Sequence, residues 1–80
     1  MELWEKQLLK MPWKVKERVS VITRLLFARD FSALNRKKLK GHKNIFRIRV
    51  GNYRIIYYDD GKNLSIISIP SRSDTTYNDF

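Results

Sequence analysis

The stretch Phe46-Arg47-Ile48-Arg49-Val50-Gly51-Asn52-Tyr53-Arg54-Ile55-Ile56-Tyr57 decides the fold. In its first half, apolar Phe46, Ile48 and Val50 alternate with Arg47 and Arg49, the period of a strand with one buried face. Gly51-Asn52 is a two-residue hairpin signal, because both residue types tolerate positive φ. Such a loop pairs Val50 with Tyr53, Arg49 with Arg54, Ile48 with Ile55, Arg47 with Ile56 and Phe46 with Tyr57. Alternation then sorts the side chains. Phe46, Ile48, Val50, Tyr53, Ile55 and Tyr57 form a core face. Arg47, Arg49 and Arg54 collect on the other, with Ile56 and Tyr58 nearby. A slip of one residue would break this sorting, so the register is strongly specified.

Stability alone does not favour three arginines on one face. Like charges directly opposite on a sheet cost a few tenths of a kcal/mol, up to about 1. An anion held between them would offset the repulsion, and the planar guanidinium fork suits phosphate. A solvated face whose arginines lie flat over apolar surface is the other reading of the same pattern.

Outward from the hairpin, Asp60-Gly61 marks a second tight turn. Residues 64–69 are rich in isoleucine and read as a further strand, stopped by Pro70. The tail beyond is polar with an aromatic end. Towards the N-terminus the period becomes helical. Trp4, Leu8 and Met11 fall on one helix face, and Pro12, well tolerated at a helix start, opens a second helix over about residues 12–28. Its apolar stripe is Val15, Val19, Ile22 and Leu26. Trp4, Trp13 and Phe27 are expected in the helix–sheet core. Residues 30–35 read as a connection, with Phe31 and Leu34 tucked inward. The basic run Arg36-Lys37-Lys38-Leu39-Lys40, ended by Gly41, reads either as a phosphate-tracking patch or as a solvated helix or loop face. The expected architecture is α+β: an N-terminal helical hairpin packed on a small twisted antiparallel sheet, one domain over residues 1–80.

Composition narrows the class of partner. The 80-residue chain carries a net charge of +9, which points to a polyanion or an acidic protein. Residues 1–43 hold 12 basic and 4 acidic side chains, a net +8, whereas residues 44–80 hold a net +1. The long-range field therefore comes from the first half, and chemistry in the second half depends on placement. There is no cysteine, which removes disulfide and thiol chemistry and suits a cytoplasmic location. No apolar run suggests a membrane span, and the charged N-terminus does not read as a signal peptide. His42, the single histidine, is expected to be a solvated loop residue, and with no cysteine a metal site is not expected. Asp59-Asp60 beside Gly61 reads as turn chemistry.

The residues 38–41, Lys-Leu-Lys-Gly, followed by the hairpin quoted above, an isoleucine-rich strand and a tail with Arg72 and Tyr77, resemble the RelE/ParE toxin superfamily. The resemblance covers nearly the whole chain and is most specific in the hairpin. It implies the toxin of a type II toxin–antitoxin system, neutralised by a cognate antitoxin. RelE-like members are ribosome-dependent endoribonucleases that cut mRNA in the ribosomal A site. Their functional positions match Arg47, Arg49, Arg54, Arg72 and Tyr77 here. Members usually open with a short strand before the first helix. This sequence begins directly in helix-like residues, so a sheet edge open to strand addition is expected.

The implied chemistry is metal-free and cofactor-free cleavage of RNA. Arg54 and Arg72 would stabilise charge on the phosphorane. Arg47 and Arg49 would position the backbone, and Tyr77 would stack on a base or exchange a proton. Arginine stays protonated, so none of these guanidiniums is a general base. Lys37, Lys38, Lys40 and Tyr58 are candidate RNA contacts, on mRNA or ribosomal RNA. The same resemblance admits a gyrase inhibitor of the ParE kind, or an inactive relative that binds only an antitoxin or nucleic acid.

Overall fold

The computed structural model describes residues 2–71. Two helices, α1 (Leu3–Leu9) and α2 (Trp13–Phe27), precede four strands: β1 (Arg36–Lys38), β2 (Ile45–Val50), β3 (Tyr53–Asp59) and β4 (Leu64–Ser68). The sheet is antiparallel throughout, in the order β1-β2-β3-β4. Arg72 and Tyr77 lie outside the described residues.

Local chemistry sets the helix ends. The Glu2 amide donates to the Glu5 carboxylate at 2.9 Å, closing the first turn of α1. Pro12 caps α2, and its carbonyl accepts from the Lys16 amide at 2.9 Å. At the far end the Asp30 amide reaches the Leu25 carbonyl and the Arg29 amide reaches Leu26, both within 3.0 Å. These two bonds are a Schellman stop, and Arg29 adopts the left-handed φ of 57° that this stop requires. Among the described residues no helix is long and apolar enough to cross a membrane.

The hairpin register is the one read from the sequence, from Val50↔Tyr53 through Phe46↔Tyr57, extended by Ile45↔Tyr58. At the loop, Gly51 takes φ 59° and Asn52 does not take a positive φ, so one left-handed residue suffices. Beneath the helices, Val19, Leu26, Val50, Ile55, Tyr57 and Ile69 are almost completely buried, joined by Met11, Ile48 and Ile66. Phe46 stacks on Tyr57 with ring centroids 5.5 Å apart.

Three expectations need correction. Trp13 is 68% exposed and Phe27 52%, so neither belongs to the core. Trp13 lies two residues, about 200°, before Val15, and the stripe that faces the sheet leaves it on the wet side. Phe27, at the last position of α2, meets the half-buried Trp4 with centroids 6.4 Å apart, at the rim. Residues 36–38 form a strand rather than a solvated helix or loop, and they cover the outer edge of β2. His42 is half-buried in the turn between β1 and β2, where its amide reaches the Leu39 carbonyl at 3.3 Å.

Candidate functional site

Strand alternation places Arg47 and Arg49 on the sheet face away from the helices, and Arg54 joins them by pairing directly with Arg49. The added strand β1 brings a fourth cation, because Lys37 pairs directly with Arg47. Lys37, Arg47 and Arg49, with Asn35, line a depression of about 140 Å³. Two like-charge cross-strand pairs therefore stand side by side on one face, at a cost of roughly 0.4–2 kcal/mol in total. Among the described residues no acidic side chain lines the depression. Three convergent cations with a neutral amide beside them can hold a tetrahedral anion through charge-assisted hydrogen bonds.

Arg54 is half-buried, and its backbone amide donates to the Pro70 carbonyl at 3.1 Å. Tyr53 bridges Ser71, so the chain leaves the described residues beside the strand segment that carries Arg54. Ile56 occupies the arginine face and is nonetheless fully buried, outside the cluster beneath the helices. The register sets Arg47 directly across from it, where an aliphatic stem can cover it while the guanidinium stays wet.

The remaining candidates are dispersed. Tyr58 is on the same face, about 13 Å along β3 from Arg54 but one diagonal step, roughly 7–8 Å, from Arg47. Its hydroxyl donates to Asp60 at 2.9 Å, which pushes the phenol pKa up. Lys38 pairs with Phe46, and alternation turns it to the opposite face; Lys40 is exposed in the turn after buried Leu39. Among the described residues no group of three His, Cys, Asp or Glu side chains is placed to hold a metal ion.

A second constellation, not foreseen from the sequence, lies on the helix side of the same strands. Asp59 is buried and accepts from Arg29 at 3.0 Å, from Arg36 at 3.3 Å and from the Gly61 amide at 2.9 Å. Turn chemistry thus explains only part of its role. The Arg36 guanidinium also lies 3.8 Å from the Phe31 ring centroid and 4.9 Å from that of Phe46, and contacts the Tyr57 hydroxyl at 3.4 Å. Burial pushes the Asp59 carboxyl up, but the Gly61 amide and the two guanidiniums outweigh it, and the net shift is down. Asp60 behaves as pure turn chemistry: the amides of Asn63 and Lys62 and the Tyr58 hydroxyl bring it down to about 2.

Both carboxyls have folded pKa values below their unfolded ones. The stability they lend is present above pH ~4 and is lost as pH falls through the folded values. The urea midpoint is accordingly expected to fall between about pH 4 and about pH 2, where Asp60 titrates. An Asp59→Asn variant should start lower at neutral pH and fall less steeply on acidification. An acid profile identical to that of the native chain would contradict this account of Asp59.

Comparison with known proteins adds a lineage to this geometry. A family model described as the ParE toxin of type II toxin–antitoxin systems, parDE, matches residues 5–75. Among solved structures, a chain in the crystal structure of the RelB–RelE antitoxin–toxin complex from Methanococcus jannaschii is similar, with 29% identity and a TM-score of 0.77. That match covers 96% of this chain and 92% of the other. No curated protein matches.

Proposed function

The chain belongs to the ParE toxin family of type II toxin–antitoxin systems, and on that premise we propose that it is a ribosome-dependent mRNA endoribonuclease restrained by a cognate antitoxin. The observation that carries this reading is the depression lined by Lys37, Arg47 and Arg49, with Arg54 paired alongside. Phosphoryl chemistry by internal attack of a 2′-hydroxyl needs the backbone held in line and the growing negative charge met by fixed cations. In this reading Arg47, Arg49 and Lys37 hold the phosphate backbone, and Arg54 stabilises the phosphorane. Arg72 would share the charge with Arg54 and Tyr77 would contact a base. Because guanidiniums do not accept protons, the ribosome would orient the 2′-hydroxyl and assist its deprotonation. No metal or cofactor is invoked.

An antitoxin partner is proposed on two grounds. The similar solved structure is a toxin–antitoxin complex. The helical part of this chain, residues 1–35, combines a net charge of +3 with exposed Leu3, Leu9, Trp13 and Val21, a surface suited to an acidic amphipathic partner.

The second reading is inhibition of DNA gyrase without RNA chemistry. It is favoured by the family model matched and by the lack of a general base among the arginines. Mapping mRNA 5′ ends on programmed ribosomes separates the two. Codon-phased cuts that vanish with Arg54→Ala or with added antitoxin are the expected result. Intact mRNA together with blocked DNA supercoiling would instead establish the gyrase reading. Intact mRNA with normal supercoiling would leave a protein that only binds its partners.

A further inference from the structure

The cation depression depends on a strand that has little reason of its own to form. β1 is three residues long, Arg36-Lys37-Lys38, and the side chains of Lys37 and Lys38 are exposed. Lysine and arginine are not strand formers, and the run lies at the sheet edge, where pairing is one-sided. Its pairing also sets Lys37 directly against Arg47, a repulsive contact. Leu39, buried just after the strand with its amide on the Ile45 carbonyl at 2.8 Å, holds one end, and the other end needs a hold of its own. Within β1 the half-buried side chain is Arg36, which the register turns to the helix side.

We infer that Arg36 is a positioning residue: seated between Phe31 and Phe46 and tied to Asp59, it locks β1 in register and so presents Lys37 to the anion site. The contacts are unequal. The guanidinium carbon lies 3.8 Å from the Phe31 centroid and 4.9 Å from that of Phe46, so the cation rests over two rings, a seat that a compact, strongly hydrated ammonium fills less well. Its hydrogen bonds to Asp59 and Tyr57, at 3.3 and 3.4 Å, are long and supply direction more than strength. Two of the four residues that line the depression, Asn35 and Lys37, are the immediate chain neighbours of Arg36. Successive side chains point to opposite faces, so an anchor on the helix side fixes its neighbours on the other. A shift of β1 by one residue would turn Lys37 inward and set Arg36 or Lys38 opposite Arg47 in its place, at the cost of the Arg36 seat, so loss of that seat is expected to fray β1 and draw Lys37 away from Arg47 and Arg49. The inference rests on the reading of Lys37, Arg47 and Arg49 as an RNA-phosphate site.

Arg36→Lys keeps the charge and removes the guanidinium from its seat over the two rings. Binding of a single-stranded RNA oligonucleotide to the full chain, measured over a series of salt concentrations, reads its effect. Lys37→Ala should weaken binding by roughly tenfold and lower the salt slope by about 0.7, the loss of one phosphate contact. Arg36→Lys should do the same although no charge has been removed. The double variant should bind no more weakly than Lys37→Ala alone. A lowered slope at constant charge is not what a general loss of stability produces. Amide exchange gives the local readout. The Leu39 amide, which donates to the Ile45 carbonyl at 2.8 Å, should exchange faster in Arg36→Lys while those of Ile55 and Tyr57 do not change.

Asp59→Asn serves as a second variant if Arg36→Lys folds poorly, and the same lack of additivity with Lys37→Ala is expected. If Lys37→Ala and Arg47→Ala both leave RNA binding intact, the phosphate-site reading fails and this inference with it. If those two weaken binding but Arg36→Lys has no effect, or adds fully to Lys37→Ala, the positioning role alone is overturned.

Discussion

Replacing Arg47 and Arg49 together with alanine is expected to weaken binding of single-stranded RNA by on the order of 10²–10⁴-fold, while the fold becomes slightly more stable. The two effects have opposite signs for one physical reason. Each arginine that meets a phosphate contributes a charge-assisted hydrogen bond of about 1.5–3 kcal/mol, and the pair together gives the range stated. The salt slope should fall by about 1.4 as two counterion-releasing contacts vanish. In the free protein the same guanidiniums face Arg54 and Lys37 across the strands. Removing them relieves a few tenths of a kcal/mol up to about 1 at each pair. Both quantities are read from one preparation, by salt-dependent binding and by urea denaturation. A double variant that binds RNA like the native chain would remove the sheet face from any account of function. One that binds weakly because it unfolds would show that the arginines serve the structure, as flat cover over Ile56. The same variant should lose growth inhibition when expressed without its antitoxin.

The second large effect concerns packing. Leu26→Ala should destabilise the protein by about 3–5 kcal/mol, because a completely buried side chain in a small core leaves a cavity that neighbours fill poorly. A domain of this size has a total stability of roughly 4–12 kcal/mol, so this one change removes about a quarter of it or more. Trp13→Ala, although it deletes a larger side chain, should change stability by less than about 0.5 kcal/mol, because Trp13 is 68% exposed. Urea midpoints of the two variants at one temperature decide the matter. A Leu26→Ala cost under about 1 kcal/mol, or a larger cost for Trp13→Ala, would contradict the packing described.

That contrast also marks how far hydrophobicity could be read along the chain. The stripe Val15, Val19, Ile22 and Leu26 was legible because four residues in one helical phase leave a single way to face the sheet. Trp13 and Phe27 are apolar but out of that phase, and side-chain type alone misplaced them. Phe27 meets Trp4 at the rim and Trp13 carries the Lys14 ammonium 5.9 Å from its ring centroid, and the apolar surface that both still expose fits the proposed antitoxin surface.

The hairpin was determined by the sequence alone. Strict alternation on both sides of a two-residue turn admits one register, since a slip would expose Ile48 and Ile55 and bury Arg49 and Arg54. Three of the site's cations followed from that register without tertiary information. Lys37 did not. Its strand has no apolar alternation to read, because the inward position is filled by Arg36, whose stacking partners Phe31 and Phe46 lie 5 and 10 residues away on either side. Asp59 likewise looked like part of a turn until the fold brought Arg29 and Arg36 to it. Periodicity reports burial in apolar surroundings. A charged side chain held against aromatic rings and an ion-pair partner leaves no periodic trace, and only the tertiary structure shows which basic residue packs inward and which one lies across from Arg47.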